Sequence, residues 1–327
     1  MEKLTILTRR VFLADTLLKK IKNVLRFARA FVRGGIVDFD YIRYGGHVAV
    51  TRSLVHGLRE LGVNFNYNPV SVSAIGDVVV VLSDVGAVRQ AIELKKQGKI
   101  KKLFVGPNVV EMSTEHDNLL TAPEVDVCLV PSDMTVAIYE RLTPALRGRC
   151  VSWYAGVDEA YWSPLEHAST AKNVVVYWKN APKPFCMEVE RLLTVYGYTP
   201  LRIVYGRYNK KELRSKLRMS AFSVFLSITE TQGIALAESW AMNVPTLVWD
   251  PQIEHYYIRG LQTTAAPYLT DATGVRWKEL GEFEAAIKNF PAGDFRPRAW
   301  VMEHMTDRAS AEQLVQLCKA TPDTKTS

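Results

Sequence analysis

Residues 227–245 (SITETQGIALAESWAMNVP) carry the side chains of this chain best placed to do chemistry. An apolar run ends at Leu226, a loop with Glu230 follows, and an apolar-periodic stretch containing Glu238 begins after Gly233. The pattern predicts a strand, a loop and a helix, with one carboxylate on the loop and the other a turn and a half into the helix. Both can then face a ligand at the strand's C-terminal edge. Gly233 permits close backbone approach, and the first free N–H groups of a helix point at any phosphate placed before it. Carboxylates accept hydrogen bonds from sugar or ribose hydroxyls, so acids beside a phosphate-binding helix end suit a nucleotide-sugar. Either glutamate alone would serve only the helix dipole. The two together, on a loop–glycine–helix arrangement, favour a site.

Such a site needs a sheet to present it. Short β-branched runs at 63–67, 77–82 (DVVVVL), 102–105 and 126–130 (DVCLV) alternate with helical stretches at 48–61, 85–97 and 133–142. A second series begins after the proline-containing stretch 162–171. Its predicted strands are 174–178, 201–205, 222–226 and 246–249, and its predicted helices 185–196, 210–219, 234–242 and 277–289. Apolar runs without polar alternation suit strands buried on both faces of a parallel sheet. Two successive βα series imply two Rossmann-like, doubly wound α/β domains facing a cleft, at 34–165 and 166–298. A stretch near 299–317 predicts a closing helix (299–320), and 321–327 reads as a flexible tail.

The remaining segment, 1–33, explains the charge. It holds nine Lys/Arg against Glu2 and Asp15, a surplus of seven that equals the whole net charge of +7; the rest of the 327-residue chain is balanced. A nucleic-acid-binding body would spread basic charge over a folded face, so that class loses ground and no nucleic-acid partner is expected. Val11, Ala14, Leu18, Ile21, Leu25, Ala28 and Val32 recur at spacings of three and four, with Lys19, Lys22, Arg26, Arg29 and Arg33 opposite. This is the pattern of a basic amphipathic helix. It fits an anionic membrane surface, a helix packed on its own domain, or an organellar targeting segment. No apolar run approaches the roughly 18 residues of a membrane span. Cys128, Cys150, Cys186 and Cys318 form no C-x-x-C pair and read as buried thiols in a reducing, cytoplasmic compartment.

On these residues the chain resembles a family. Glu230-x7-Glu238 followed by S-W-A-M-N-V-P is similar to the E-x7-E signature and the E-A-M-A-x-G-x-P continuation of retaining GT-B glycosyltransferases, the family 4-like group. Thr231, Gln232 and Gly233 stand where that group has Gly-Phe-Gly. Tyr44-Gly45-Gly46-His47 resembles its N-domain glycine loop. Ala155-Gly156-Val157-Asp158 with Trp162 and Pro164 resembles its G-V-D…F-x-P passage. Residues 176–183 (VYWKNAPK) stand at its G-R…K-G position, and 203–206 (IVYG) at a strand and glycine near the base.

The resemblance implies a transferase that moves a sugar from a nucleotide-diphosphate donor to a glycan or lipid-linked acceptor, with retention and without a metal. Glu238 would hold the ribose hydroxyls, and Glu230 with the backbone of Gln232, Gly233 and Ile234 the donor sugar. Gly45 and Gly46 would approach the diphosphate, and Gly206 the base. Breaking a sugar–diphosphate bond leaves growing charge on the diphosphate, which fixed cations can stabilise. Lys179 and Lys183, just past the strand at 174–178, are the natural metal-free clamp. On the acceptor side the loop after 102–105 offers Asn108, Glu115, His116 and Asp117, with His116 as the candidate catalytic group and His47 as its alternative. Asp38-Phe39-Asp40 precedes the β/α series and is a coincidental D-x-D. An epimerase or hydrolase on the same scaffold, and a sugar-nucleotide-binding protein without turnover, are the competing readings.

Overall fold

The computed structural model describes residues 3–11, 46–164, 172–290 and 294–322. The chain divides into two compact units. Met1–Val130, Leu142–Trp153 and Ala311–Ser327 form the first, and Pro131–Arg141 with Tyr154–Ser310 the second. The sequence pattern places the change of domain at 165/166.

The first unit is built on a parallel sheet of β1 (Leu4–Leu7), β2 (Phe65–Tyr67), β3 (Val78–Ser83), β4 (Lys102–Asn108), β5 (Val127–Val130) and β6 (Cys150–Ser152), in the order β2-β1-β3-β4-β5-β6. Helices α1 (Gly46–Glu60) and α2 (Val85–Lys96) belong to it. Residues 78–82 of β3 are all buried, which is why they read as an unbroken valine run: neither face of the strand meets water.

β1 corrects the N-terminal bound of the helical segment placed at 1–33, whose amphipathic pattern begins at Val11. Leu4–Leu7 is a strand buried on both faces and paired to β2 on one side and β3 on the other. Even Thr5 is fully buried, its Oγ1 accepting from the Gly76 N–H at 2.9 Å. The amphipathic pattern beyond Val11 and the Asp38–Asp40 triplet lie outside the described residues.

The second unit is built on a parallel sheet of β7 (Asn173–Trp178), β8 (Thr199–Val204), β9 (Ser220–Leu226), β10 (Thr246–Trp249) and β11 (Gly274–Trp277), in the order β11-β10-β9-β7-β8. Period-two alternation gives this sheet two dry faces. Val175, Tyr177, Phe225 and Val248 share one core with Leu213 and Leu217 of α4 (Lys210–Arg218) and Leu236 and Trp240 of α5 (Ile234–Ala241). Val174, Val176, Trp178 and Val224 share the other with Val189 and Leu193 of α3 (Lys183–Val195) and Phe283 and Ile287 of α6 (Leu280–Asn289). Pro200 lies inside β8, where an edge strand tolerates a missing N–H.

Two further expectations are corrected. Trp277 closes β11, and the following helix begins only at Leu280. The closing helix is two: α7 (Pro297–His304) and α8 (Asp307–Ala320). The break falls at Met305–Thr306 because Val157 bridges this backbone: its N–H donates to Met305 O at 2.9 Å and its carbonyl accepts from Asp307 N at 3.2 Å. Gly156 makes the approach feasible, since a Cβ there would meet Thr306 O at 2.3 Å. No helix among the described residues is long and apolar enough to cross a membrane.

Candidate active site

In the second sheet the strand order reverses between β7 and β9: β8 was laid on one side of β7, and every later strand on the other. Ligands of open α/β sheets gather outside the C-terminal ends of the strands at such a switch point. Lys179 follows β7 and Glu230 lies in the loop after β9, and the two meet there. Lys179 Nζ donates to Glu230 Oε2 at 2.7 Å, with 24% of the lysine side chain and 14% of the glutamate exposed.

Each partner is held from behind. The Lys179 N–H extends the ladder onto Leu226 O at 3.1 Å, and its ammonium stands 4.8 Å from the centre of the Tyr205 ring. The Glu230 N–H donates to Thr264 O at 3.0 Å. Asn180 ties the two strand ends together, its Oδ1 accepting from the Ile228 N–H at 2.7 Å and from Ser227 Oγ at 3.2 Å.

The helix after the loop starts as the sequence predicts. Gly233 is its N-cap with φ 80°, a left-handed conformation that glycine adopts without strain, and it offers no capping side chain to the first helical amides. Gln232 is buried and its amide pairs with both backbone groups of Ala155, accepting from the N–H at 2.9 Å and donating to the carbonyl at 2.7 Å. The side chain that departs from the family's pattern is therefore a brace, and its backbone alone is free for a ligand. At the other end Asn243, at φ 59°, stands where the family has glycine. It ends α5 with the Asn243 N–H on Trp240 O and the Val244 N–H on Ser239 O, the paired bonds of a Schellman cap, which asparagine also accommodates.

The two glutamates do not stand alike. Glu238, on α5, is only 2% exposed. Its charge reaches two tyrosines, Tyr177 and Tyr208, whose hydroxyls lie 3.2 Å apart. Burial, above all, raises both phenols beyond their ordinary range; the Tyr208 phenol adds next to the rise at Tyr177, and both carboxylates add to each, Glu230 more at Tyr177 and Glu238 more at Tyr208. The arrangement is an acidic, largely dehydrated floor that also feels the Glu230 charge.

The other predicted residues distribute as follows. Lys183 is the first residue of α3, exposed, with no ion-pair partner among the described residues. Gly206 turns the chain after β8 at φ 75° with open space around it. Ile234 opens α5 and is half-buried. In the first unit, Gly46 and His47 are the exposed start of α1, and Gly45 lies outside the described residues. His116 and Asp117 are exposed, at φ 54° and 60°. The Glu115 carboxylate is occupied by the N–H groups of Glu111 and Met112, and Asn108 ends β4 with its buried Nδ2 unpaired.

Sequence reasoning missed Asn180, Tyr205, Tyr208 and the fully buried Asp250, which accepts from Thr264 Oγ1 at 2.7 Å and from the Ala265 N–H at 2.9 Å. The available signals were an asparagine directly after Lys179 and an Asp-Pro pair closing an apolar strand.

No family model matches this chain, and no curated protein matches it. Solved structures do. Sucrose-phosphate synthase from Thermosynechococcus elongatus superposes with a TM-score of 0.54 at 13% identity, over 84% of this chain and 93% of its own. The lipopolysaccharide outer core galactosyltransferase WaaB matches at 0.53 and 12%, over 98% and 100%. Anabaena HepE, solved in complex with UDP and glucose, matches at 0.53 and 9%, also over 98% and 100%. These neighbours are glycosyltransferases of the GT-B fold, and the two parallel α/β units described above have that fold.

Proposed function

We propose that this protein is a retaining, metal-independent glycosyltransferase that takes a sugar from a nucleotide-diphosphate donor to a glycan or lipid-linked acceptor. The observation that carries the reading is the Lys179–Glu230 pair at the switch point of the second sheet. A cation and a carboxylate within one hydrogen bond of each other, before an uncapped helix N-terminus, match the two ends of a sugar-diphosphate: phosphate oxygens on one side, sugar hydroxyls on the other.

In this reading Lys179, with Lys183 at the start of the next helix, neutralises the diphosphate as the glycosidic bond breaks. Glu230 and the backbone of Gln232, Gly233 and Ile234 hold the sugar. Gly206 leaves space for the base. Glu238 supplies the ribose contact from the dehydrated floor that it shares with Tyr177 and Tyr208. The GT-B neighbours support the transferase class, and the UDP and glucose in the HepE structure support the donor class. His116 is assigned to the acceptor, and the basic residues of 1–33 to an anionic membrane surface where a lipid-linked acceptor would be met.

The test is a thermal-shift screen against UDP-, GDP-, ADP- and dTDP-sugars, since a bound donor raises the melting temperature by mass action. At least one is expected to do so and to be consumed when acceptor is added. A screen with no shift at saturating donor refutes the reading, and consumption without acceptor replaces it with a hydrolase or epimerase.

A further inference from the structure

In the second unit an arm, residues 251–263, leaves the sheet at Asp250 and returns at Thr264. Its feet are clamped by the buried Asp250 carboxylate, which takes the Thr264 hydroxyl at 2.7 Å and lies 3.3 Å from Arg276 Nε. Above the feet, Thr263 N–H donates to Ile253 O at 2.9 Å, and Glu254 and Gln262 form an antiparallel bridge. His255 N–H then donates to Leu261 O at 2.7 Å, and Glu254 accepts from the Gly260 N–H across the tip. Ile258 is buried as an internal plug. Hydrogen bonds thus fix the arm along its length. What it holds out in water is Tyr256, 90% exposed, and Tyr257, 67% exposed, with the rings edge to face at 4.8 Å and 87°.

Two aromatic rings kept in solvent by a hydrogen-bonded scaffold are a binding surface lacking its partner. They offer large contact area, a polar tip and little rotamer entropy to lose. The partner is indicated by where the arm is rooted. Thr264, its returning foot, is the residue whose carbonyl holds the Glu230 N–H at 3.0 Å and also accepts from Thr229 Oγ1 at 3.3 Å. Tyr257 is seven residues from Thr264, so at about 3.3 Å per residue the tip lies within roughly 23 Å of that foot. This is the length of a few linked sugar rings.

The apolar C–H face of a pyranose stacks on an aromatic ring, while its equatorial hydroxyls find phenol, carboxylate and guanidinium groups at the rim. Around the rings the arm exposes Ile253, Glu254 and Arg259, one aliphatic and two opposite charges. That mixture suits a hydroxylated chain and opposes burial in lipid, which favours apolar bulk and repels an acid. We infer that Tyr256 and Tyr257 are a stacking subsite for the sugar rings of an extended glycan acceptor. The inference rests on the sugar-transfer reading above.

The experiment titrates the full chain with maltotetraose, cellotetraose, chitotetraose and mannotetraose by ligand-observed NMR. It compares the native protein with Y256A/Y257A and Y256F/Y257F. Melting temperature reports that each variant is folded. At least one tetrasaccharide is expected to bind, to lose at least about tenfold in affinity in the alanine variant, which removes both rings, and to stay within about threefold in the phenylalanine variant.

Equal binding by the alanine variant, or no tetrasaccharide bound by the native chain, overturns the subsite. So does a variant that leaves glycans alone and instead loses binding to phosphatidylglycerol vesicles or loses self-association in sedimentation. The donor screen keeps the two readings apart. A donor shift with tyrosine-independent glycan binding overturns the arm alone. Tyrosine-dependent glycan binding without any donor shift supports the stacking subsite and overturns sugar transfer.

Discussion

Replacing Glu230 by glutamine should move two measurements in opposite directions. Glu230 occupies the cation that the proposed function assigns to the diphosphate: 2.7 Å separates the two groups, with 24% of the lysine and 14% of the glutamate side chain exposed. Unit charges about 4 Å apart attract by ~4 kcal/mol at an effective dielectric near 20, and lost hydration reduces the net worth of such a pair to about 1–2 kcal/mol. The carboxylate also repels an incoming diphosphate. Glu230→Gln keeps the shape and the Thr264 contact of the backbone while removing both effects. A nucleoside diphosphate should therefore bind more tightly by about 1–2 kcal/mol, roughly 5- to 30-fold. Transfer should fall, because the group assigned to the sugar hydroxyls has lost its charge. Calorimetric titration with the nucleoside diphosphate of the shifting donor, at fixed salt, reads the first, and donor consumption reads the second. Lys179→Ala should weaken the same titration, and the double variant should lose the gain. Weaker diphosphate binding in Glu230→Gln, or a gain that survives Lys179→Ala, would show that this lysine does not face the diphosphate.

Glu238 is so deeply buried that its alanine variant confounds affinity with folding; Glu238→Gln should keep the melting temperature within a few degrees and weaken nucleotide binding by about 1–3 kcal/mol, and unchanged affinity would remove its ribose role. Donor turnover should survive a chelator in excess, whereas complete loss with rescue by Mn²⁺ would sink the lysine clamp. Alkali should destabilise the fold. Burial pushes the Cys186 thiol up to about 11 and Cys318 to about 12 from 9.0, so their contribution is complete below pH 9 and is lost as pH rises toward those values. The urea midpoint should accordingly drop between about pH 9 and about pH 12, and a flat midpoint would contradict it. Deleting 1–33 cannot test the membrane reading, because it removes the β1 strand Leu4–Leu7. Exchanging Lys19, Lys22, Arg26 and Arg29 for glutamine should instead lower binding to anionic vesicles in sedimentation, and unaltered binding would end that assignment.

What the sequence made legible follows from how local each signal is. The valine run at 78–81 and the apolar runs of β7 and β9 announce themselves, because strands dry on both faces are apolar at every position. The start of α5 was visible in Gly233, whose conformation is a property of the residue itself. β1 was hidden: four residues are too few for a period, a basic helical pattern follows them, and only pairing to β2 and β3 makes them a strand. β11 was hidden because Val275 and Arg276 are exposed on an edge strand, leaving Trp277 to be absorbed into the following helix. The break between α7 and α8 depends on Val157, some 150 residues earlier in the chain, as the bridge shows. Gln232 appeared as a departure from a pattern until its two bonds to Ala155 gave it a structural task.

The site itself was half legible for the same reason. Glu230, Glu238 and Lys179 could be nominated one by one from type and position, but not their pairing, since 51 residues separate Lys179 from Glu230. Strand order supplies the pairing. β8 follows β7 in sequence, yet it lies outside, and β9 takes the place next to β7. Had the sheet run in sequence order, β8 would stand between them and the two strand ends would be two spacings apart, about 9.6 Å. An ammonium and a carboxylate rooted there would not close to 2.7 Å without distorting the loops that Asn180 joins. The reversal that lets the sheet bury both faces is thus also what brings a cation against an acid, and Asp250, one strand further along, fixes the acid's side of the contact through Thr264.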